Sequence, residues 1–246
     1  MDDGAQTPEV SLAMLRMAAA SGTTDIVGTP HSNGEFEFQP DLITERIQYL
    51  TEQTGGIPRI HRGCDFHLSF DNVMSALENP KKFSINGGRY ILVEFSDFNI
   101  APSLDNILDQ LLGVDLIPII THPERNPILR KETEKIYRWV NMGCLVQVTA
   151  GSVLGGFGKG AAATARQLLA KGAVHFIASD AHDPVHRHTR LDEAFALIRK
   201  DCGDETAELL FNDNPARVIR NQYISDTPMP TEEKKPWWQF WGGVSR

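Results

Sequence analysis

Histidine and acidic residues recur just after the apolar runs of this sequence, where predicted strands end. The candidates are His31, Asp65, Glu94, His122, Asp180 and His182. Sites of parallel α/β folds assemble at the carboxyl ends of the strands, so these side chains are expected to converge. One such residue alone is more often a helix cap or a paired polar group, but the joint pattern predicts a metal site. Mixed imidazole and carboxylate ligands suit manganese, iron or zinc, and shared carboxylates can bridge cations about 3.5–4 Å apart.

The elements that must position these residues can be read from the hydrophobic pattern. Short apolar runs alternate with longer segments of helical period, which is typical of parallel strands joined by crossover helices. The predicted strands are 25–28, 59–62, 90–94, 116–120, 145–148 and 174–178. The predicted helices are 8–20, 40–54, 104–112, 131–142, 160–171, 190–200 and 204–212. In the first helix, Thr7 is the expected N-cap and Pro8 the first residue. The fold class is α/β, either a parallel barrel or a doubly wound sheet.

The chain is predicted to form one domain followed by a short extension. Its 246 residues, 41% of them hydrophobic, can bury one substantial core, and we place the domain at residues 1–223. The extension, 224–246, is rich in proline and charge and ends in Trp-Trp-Gln-Phe-Trp at 237–241. These aromatic residues are expected to pack against the domain or against a sister subunit in a homo-oligomer. A peripheral membrane or partner anchor is the alternative.

Charge and composition argue against several classes of protein. The net charge of -8 and the pI of 5.5 disfavour nucleic-acid binding, which usually needs clustered lysine and arginine. No apolar run reaches the roughly 20 residues of a transmembrane helix, and the amino terminus does not resemble a secretion signal. The three cysteines are widely spaced and form no CxxC pair. A cytoplasmic protein is therefore expected.

The spacing of the cysteines and of the glycines disfavours two kinds of phosphate chemistry. A cysteine-dependent phosphatase needs an arginine six positions after its nucleophile. The positions six residues beyond Cys64, Cys144 and Cys202 hold Phe, Ala and Glu. The glycine-rich stretch 155–160 lacks the spacing of a nucleotide-binding GxxxxGK[ST] loop and is interpreted as a loop before a helix.

Several segments carry a family resemblance. They are Thr-Pro-His at 29–31, Thr-His-Pro-Glu-Arg at 121–125, Gln-Val-Thr-Ala-Gly-Ser at 147–152, Phe-Gly-Lys at 157–159 and Phe-Ile-Ala-Ser-Asp-Ala-His at 176–182. Together and in this order they resemble the polymerase-and-histidinol-phosphatase (PHP) superfamily, specifically its CpsB/CapC-type bacterial protein tyrosine phosphatases. The resemblance spans roughly residues 2–220.

The resemblance implies a distorted (β/α)7 barrel holding up to three divalent metal ions, often manganese, with iron or zinc possible. The implied ligands are Asp3, His31, Asp65, Glu94, His122, Asp180 and His182. Arg125 matches an arginine that contacts phosphate, and a second arginine is expected at Arg187 or Arg190, with Arg187 preferred. The implied activity is metal-dependent hydrolysis of phosphotyrosine on a protein, a bacterial tyrosine kinase above all. That activity would regulate the synthesis of capsular polysaccharide or exopolysaccharide.

The chain departs from the family pattern at two places. Family members begin with a strand carrying His-x-His before Asp-Asp-Gly-Ala, whereas here Met1 directly precedes Asp2-Asp3-Gly4-Ala5. The barrel is therefore expected to lack its first strand, and a start assigned too late is the favoured explanation. Asp65 stands where the family usually has glutamate. Two alternative functions remain: a PHP phosphoesterase acting on a small molecule such as histidinol phosphate, and a catalytically impaired module that binds the kinase.

Overall fold

The computed structural model describes residues 1–224. The Trp237–Trp241 cluster, and the extension from residue 225 onward, lie outside the described residues. Among the described helices, none is both long enough and apolar enough to cross a membrane.

All six predicted strands are present, and every pairing between strands is parallel. The strands are β1 (Asp25–Gly28), β2 (His31–Ser32), β3 (Arg59–Arg62), β4 (Asp65–His67), β5 (Tyr90–Glu94), β6 (Ile117–Thr121), β7 (Leu145–Thr149) and β8 (Phe176–Ala178). β1 pairs with β3, and the remaining strands form one sheet in the order β2-β4-β5-β6-β7-β8. This confirms the prediction of a mixed α/β fold built on parallel strands.

The two sheets share one register across a short break. Asp25 pairs with Arg59 in the first sheet and His31 pairs with Asp65 in the second, so the offset along the chain is 34 residues in both. The chain passes very close to its neighbour at the break. A Cβ atom on Gly63 would lie 2.7 Å from Val27 Cγ1, so glycine leaves the space that this crossing needs. β2 thus continues the direction of β1 past the break, and β4 likewise continues β3.

Helices follow the strands as crossover connections. They are α1 (Pro8–Ala20), α2 (Pro40–Thr54), α3 (Phe70–Glu78), α4 (Leu104–Gly113), α5 (Thr133–Met142), α6 (Ala150–Val153), α7 (Gly158–Ala170), α8 (Asp192–Cys202), α9 (Asp204–Glu208) and α10 (Asn214–Ile219). The prediction for α1 is confirmed in detail, because Pro8 is its first residue and Thr7 Oγ1 accepts a hydrogen bond from Val10 N. The helix predicted at 204–212 is α9 continued by a π-helical turn, Leu209–Asp213.

The sheet is buried on both faces, as parallel sheets usually are. In β5, Ile91 and Val93 belong to the large core shared with the surrounding helices. Tyr90 and Leu92 alternate with them and join a second cluster that includes Ile119 and other residues of the opposite face.

β1 and β8 border one open cavity of about 1250 Å³, which residues 1–8 also line. Each of these strands has a single partner strand among the described residues, so the sheet does not close there. The seven-stranded barrel therefore stays a prediction.

Candidate metal centre

The seven predicted metal ligands meet at the carboxyl ends of the strands. The register places His31 of β2 beside Asp65 of β4, while Glu94 is the last residue of β5. His122 follows β6, and the pair Asp180 and His182 follows β8. Asp3 reaches the same place from the amino-terminal segment. One site thus collects side chains that are far apart in sequence.

His31 lies at the centre of the group. Its Nε2 is 3.4 Å from Asp3 Oδ1, and its Nδ1 is 3.6 Å from Glu94 Oε2 and 3.8 Å from Asp65 Oδ2. These separations are longer than good hydrogen bonds but fit atoms arranged around a common cation. The residues accordingly form two sets of potential ligands, one of Asp3, His31 and His182 and one of His31, Asp65 and Glu94.

The other predicted ligands extend this arrangement on both sides. His122 Nε2 lies 3.5 Å from Glu94 Oε1. His182 Nε2 lies 3.6 Å from Asp3 Oδ1, and its Nδ1 lies 3.9 Å from Asp180 Oδ1. The structure therefore brings all seven residues together, although their role as ligands stays a prediction.

Two of these residues adopt strained backbone conformations. His122 has a φ of 36° and Asp180 a φ of 50°, in the left-handed region that non-glycine residues seldom occupy. Such conformations cost on the order of 1–3 kcal/mol and concentrate at functional sites. A hydrogen bond from His122 N to Gln147 O, 2.9 Å long, helps to hold the first of them.

Two carboxyl groups of the site, those of Asp65 and Glu94, are costly to ionise without a cation beside them. Burial raises the pKa of Asp65 well above its usual range, and the nearby Glu94 and Asp180 carboxylates raise it further. Burial also raises the pKa of Glu94. A bound cation would reverse this penalty, since it favours the charged form of each carboxylate.

The histidines present suitable donor atoms. Burial lowers the pKa of His122 to about 4, so its imidazole is neutral near pH 7 and retains a lone pair. His31 Nδ1 and Asp65 Oδ1 are buried and have no hydrogen-bond partner. Buried polar atoms are nearly always paired, so these two fit the requirements of a metal site.

Two arginines border the acidic cluster. Arg125 Nη1 and Arg187 Nη2 both contact Asp180 Oδ2, the latter at 2.6 Å. Arg190 pairs instead with Asp192, at 2.6 Å. Which of Arg187 and Arg190 binds phosphate stays a prediction, as does the phosphate-binding role of Arg125.

Comparison with known proteins identifies the family. The family model described as "Capsular polysaccharide synthesis, CpsB/CapC" matches residues 1–220. The chain belongs to the CpsB/CapC family. It is 32% identical to the tyrosine-protein phosphatase YwqE of Bacillus subtilis, over 96% of this chain and 94% of YwqE. It is 29% identical to the putative tyrosine-protein phosphatase CapC of Staphylococcus aureus, over 96% of this chain and 92% of CapC.

The fold agrees with this relationship. A chain from the crystal structures of YwqE from Bacillus subtilis and CpsB from Streptococcus pneumoniae superposes with a TM-score of 0.86. That match has 32% identity and covers 95% of this chain and 96% of the other. Those two proteins are described as unique metal-dependent tyrosine phosphatases.

The structure of this CpsB/CapC protein also shows residues that sequence reasoning missed. The Arg125 guanidinium lies over the Phe157 ring, 4.3 Å from its centroid. Asp2 Oδ2 accepts a hydrogen bond from His31 N at 3.0 Å. Glu124, fully buried, accepts one from Thr149 N at 2.9 Å and so ties the His122–Arg125 turn to β7. The quoted motifs contain Phe157 and Glu124, but their spacing does not indicate these contacts.

Proposed function

We propose that this protein is a metal-dependent protein-tyrosine phosphatase that acts in the synthesis of capsular polysaccharide or exopolysaccharide. The observation that supports the proposal is the convergence of seven candidate metal ligands beside two arginines. The phosphatase names of its relatives YwqE and CpsB support the same activity.

The residues that would hold divalent ions are the seven described above. Their mixture of carboxylates and imidazoles suits manganese, with iron and zinc as alternatives. Ions bound there would supply an activated water and neutralise charge on the phosphoryl oxygens. Asp2 would act indirectly, by fixing the backbone of His31.

The arginines would bind the phosphate group. Their planar guanidinium groups can each donate to two phosphate oxygens at once. Arg187 Nε is buried and has no partner, so it is available for such a bond. The leaving group of phosphotyrosine is a phenol with a pKa near ~10, which needs less protonation than an aliphatic alcohol would.

The finer features of fold and setting belong to the same proposal. An additional parallel strand in the cavity between β1 and β8 would close the sheet into the distorted (β/α)7 barrel. We propose a cytoplasmic enzyme whose substrate is a phosphotyrosine protein, foremost a bacterial tyrosine kinase.

The test combines metal content with turnover. Purified protein is loaded with Mn²⁺, its metal is quantified by mass spectrometry, and hydrolysis of a phosphotyrosine peptide is compared with that of histidinol phosphate. The proposal expects at least one ion per chain and a clear preference for the peptide. Preference for histidinol phosphate would instead favour a small-molecule phosphoesterase. Less than one ion per chain without turnover would favour the non-enzymatic kinase-binding module.

A further inference from the structure

The most exposed large apolar side chains in the described part of the chain lie around one edge of the sheet. They are Phe98, Phe70 and Val185, with exposed fractions of 95%, 79% and 70%. Phe98 follows the end of β5, Phe70 follows the end of β4, and Val185 lies in the segment after β8. β4 begins with Asp65, β5 ends with Glu94 and β8 is followed by Asp180. Because each of these strands supplies a candidate ligand, we name Phe98, Phe70 and Val185 the apolar rim of the site.

Short stretches of chain keep the rim within reach of the chemistry. Phe98 is four residues from Glu94, Phe70 is five from Asp65, and Val185 is two from Arg187. An extended chain spans at most about 3.6 Å per residue, so each rim residue lies within roughly 18 Å of a site residue. That is the reach of an extended peptide of about five residues.

The backbone that carries Phe98 is tied to the turn that carries Arg125. Asn126, the next residue, donates from Nδ2 to Ser96 O at 3.0 Å and to Asp97 Oδ1 at 3.3 Å. The Phe98 amide in turn donates to Ser96 Oγ at 3.2 Å. The backbone at Phe98 is therefore held in place, and its ring is exposed to solvent.

The other two rim residues are presented in the same way. Phe70 is the first residue of α3, whose start is fixed by bonds from Asn72 Nδ2 to Ser32 O at 2.7 Å and to His67 O at 2.9 Å. Val185 lies in a turn closed by Asp183, whose Oδ1 accepts from Val185 N at 2.7 Å. Oδ2 of the same carboxylate accepts a hydrogen bond from Arg187 N at 3.2 Å. One turn therefore presents both Val185 and Arg187, the residue proposed to bind phosphate.

We infer that the apolar rim binds apolar side chains flanking a phosphotyrosine in an extended segment of a protein substrate. The inference rests on the proposed phosphatase function. Isolated exposed apolar residues are ordinary, but a group concentrated around a site marks an interaction surface. A small phosphate ester would be held by the ligands and arginines alone and would leave the rim in water. A polypeptide reaches both.

The test compares substrates that share the phosphate chemistry and differ in what surrounds it. Wild type, Phe98→Ser and Phe70→Ser are assayed in saturating Mn²⁺ with p-nitrophenyl phosphate and two phosphotyrosine peptides of equal length. One peptide has Leu and Ile on both sides of the phosphotyrosine, and the other has Ser and Gly. Ile57→Ser is the matched control, because Ile57 is 67% exposed but precedes β3 at the opposite edge of the sheet.

Either rim substitution is expected to raise KM for the apolar peptide by about five- to tenfold with little change in kcat, as losing part of a buried aromatic contact would. Kinetics with p-nitrophenyl phosphate and with the polar peptide stay within twofold, and Ile57→Ser changes none of them. The inference is overturned if wild type shows equal KM for the two peptides. It is also overturned if Phe98→Ser affects all three substrates equally, or none. Absence of turnover of every substrate by wild type would overturn the phosphatase proposal as well.

Discussion

Replacement of Gly151 by alanine tests whether the Phe157 ring positions Arg125. Gly151 lies in α6, and a Cβ atom there would be 2.8 Å from Phe157 Cε2 and 3.2 Å from Cδ2. Both distances are shorter than the 3.4 Å at which ordinary contact begins, so the ring must move. Because that ring stacks on the guanidinium of Arg125 at 4.3 Å, the arginine loses its support.

The expected loss is modest and specific to activity. A cation–π contact contributes about 0.5–2 kcal/mol, and the Arg125 side chain is 26% exposed, which favours the lower half of that range. A loss of about 0.5–1 kcal/mol corresponds to a two- to fivefold lower kcat/KM. Alanine is favoured over glycine in a helix by up to ~1 kcal/mol, so the melting temperature should not fall.

A double-mutant cycle provides the assay. We expect Gly151→Ala and Phe157→Ala each to lower kcat/KM for p-nitrophenyl phosphate in Mn²⁺. The double variant should match Phe157→Ala alone, because without the ring the added methyl group displaces nothing. Gly113→Ala is the control, since a Cβ there meets nothing within 4 Å. Multiplicative losses in the double variant, or an equal loss in the control, would refute the reasoning.

Three further predictions concern charge and protonation. Arg125→Ala and Arg187→Ala should each lower kcat/KM by about 10²-fold, as loss of a donor to developing charge does. In the same steady-state assay, kcat/KM of Arg190→Ala should stay within twofold of wild type, and a loss comparable to that of Arg187→Ala would contradict the choice of Arg187. Glu94→Gln should reduce the amount of bound metal. Its melting temperature in EDTA should equal or exceed that of wild type, because burial raises the pKa of Glu94 and makes its charged form costly. A lower melting temperature would contradict this prediction. Burial lowers the pKa of His175 from 6.5 to about 4, so the stability that its neutral form contributes is complete above pH 6.5 and is lost as the pH falls toward 4. In urea titrations in EDTA, the free energy of unfolding of wild type should fall by about 2 kcal/mol more between pH 7 and pH 5 than that of His175→Asn. Equal losses would contradict this prediction.

Much of the fold follows from local pattern in the sequence. The run at 90–94 became β5 with the predicted bounds, because four consecutive apolar residues suit a strand buried on both faces. α3 was not predicted, since Phe70–Glu78 is short and has Phe70 exposed at its start. The continuation of β1 into β2 also escaped prediction, because it depends on how closely Gly63 approaches Val27 across the sheet.

The site was predictable in its members but not in its contacts. Strand ends and family motifs indicated His31, Glu94 and His122 individually, because parallel strands deliver such residues to one edge. Distances between them depend on register and on the positive φ of His122, neither of which a motif specifies. The bond from His31 N to Asp2 depends on the path of the amino-terminal segment, for which two adjacent aspartates give no indication.

Asp180 shows why a motif cannot describe the electrostatics of this site. The family motifs imply one role for Asp180, that of metal ligand, and imply phosphate binding for the arginines. In the structure both Arg125 and Arg187 contact the same oxygen of Asp180. A cation bound to Asp180 would replace the contacts of this carboxylate with the two arginines. A phosphate bound to the arginines would replace the same contacts from the other side. Binding of the cation and binding of the phosphate should therefore be coupled. Such coupling is reciprocal: if the cation changes the affinity for phosphate by some factor, phosphate changes the affinity for the cation by the same factor.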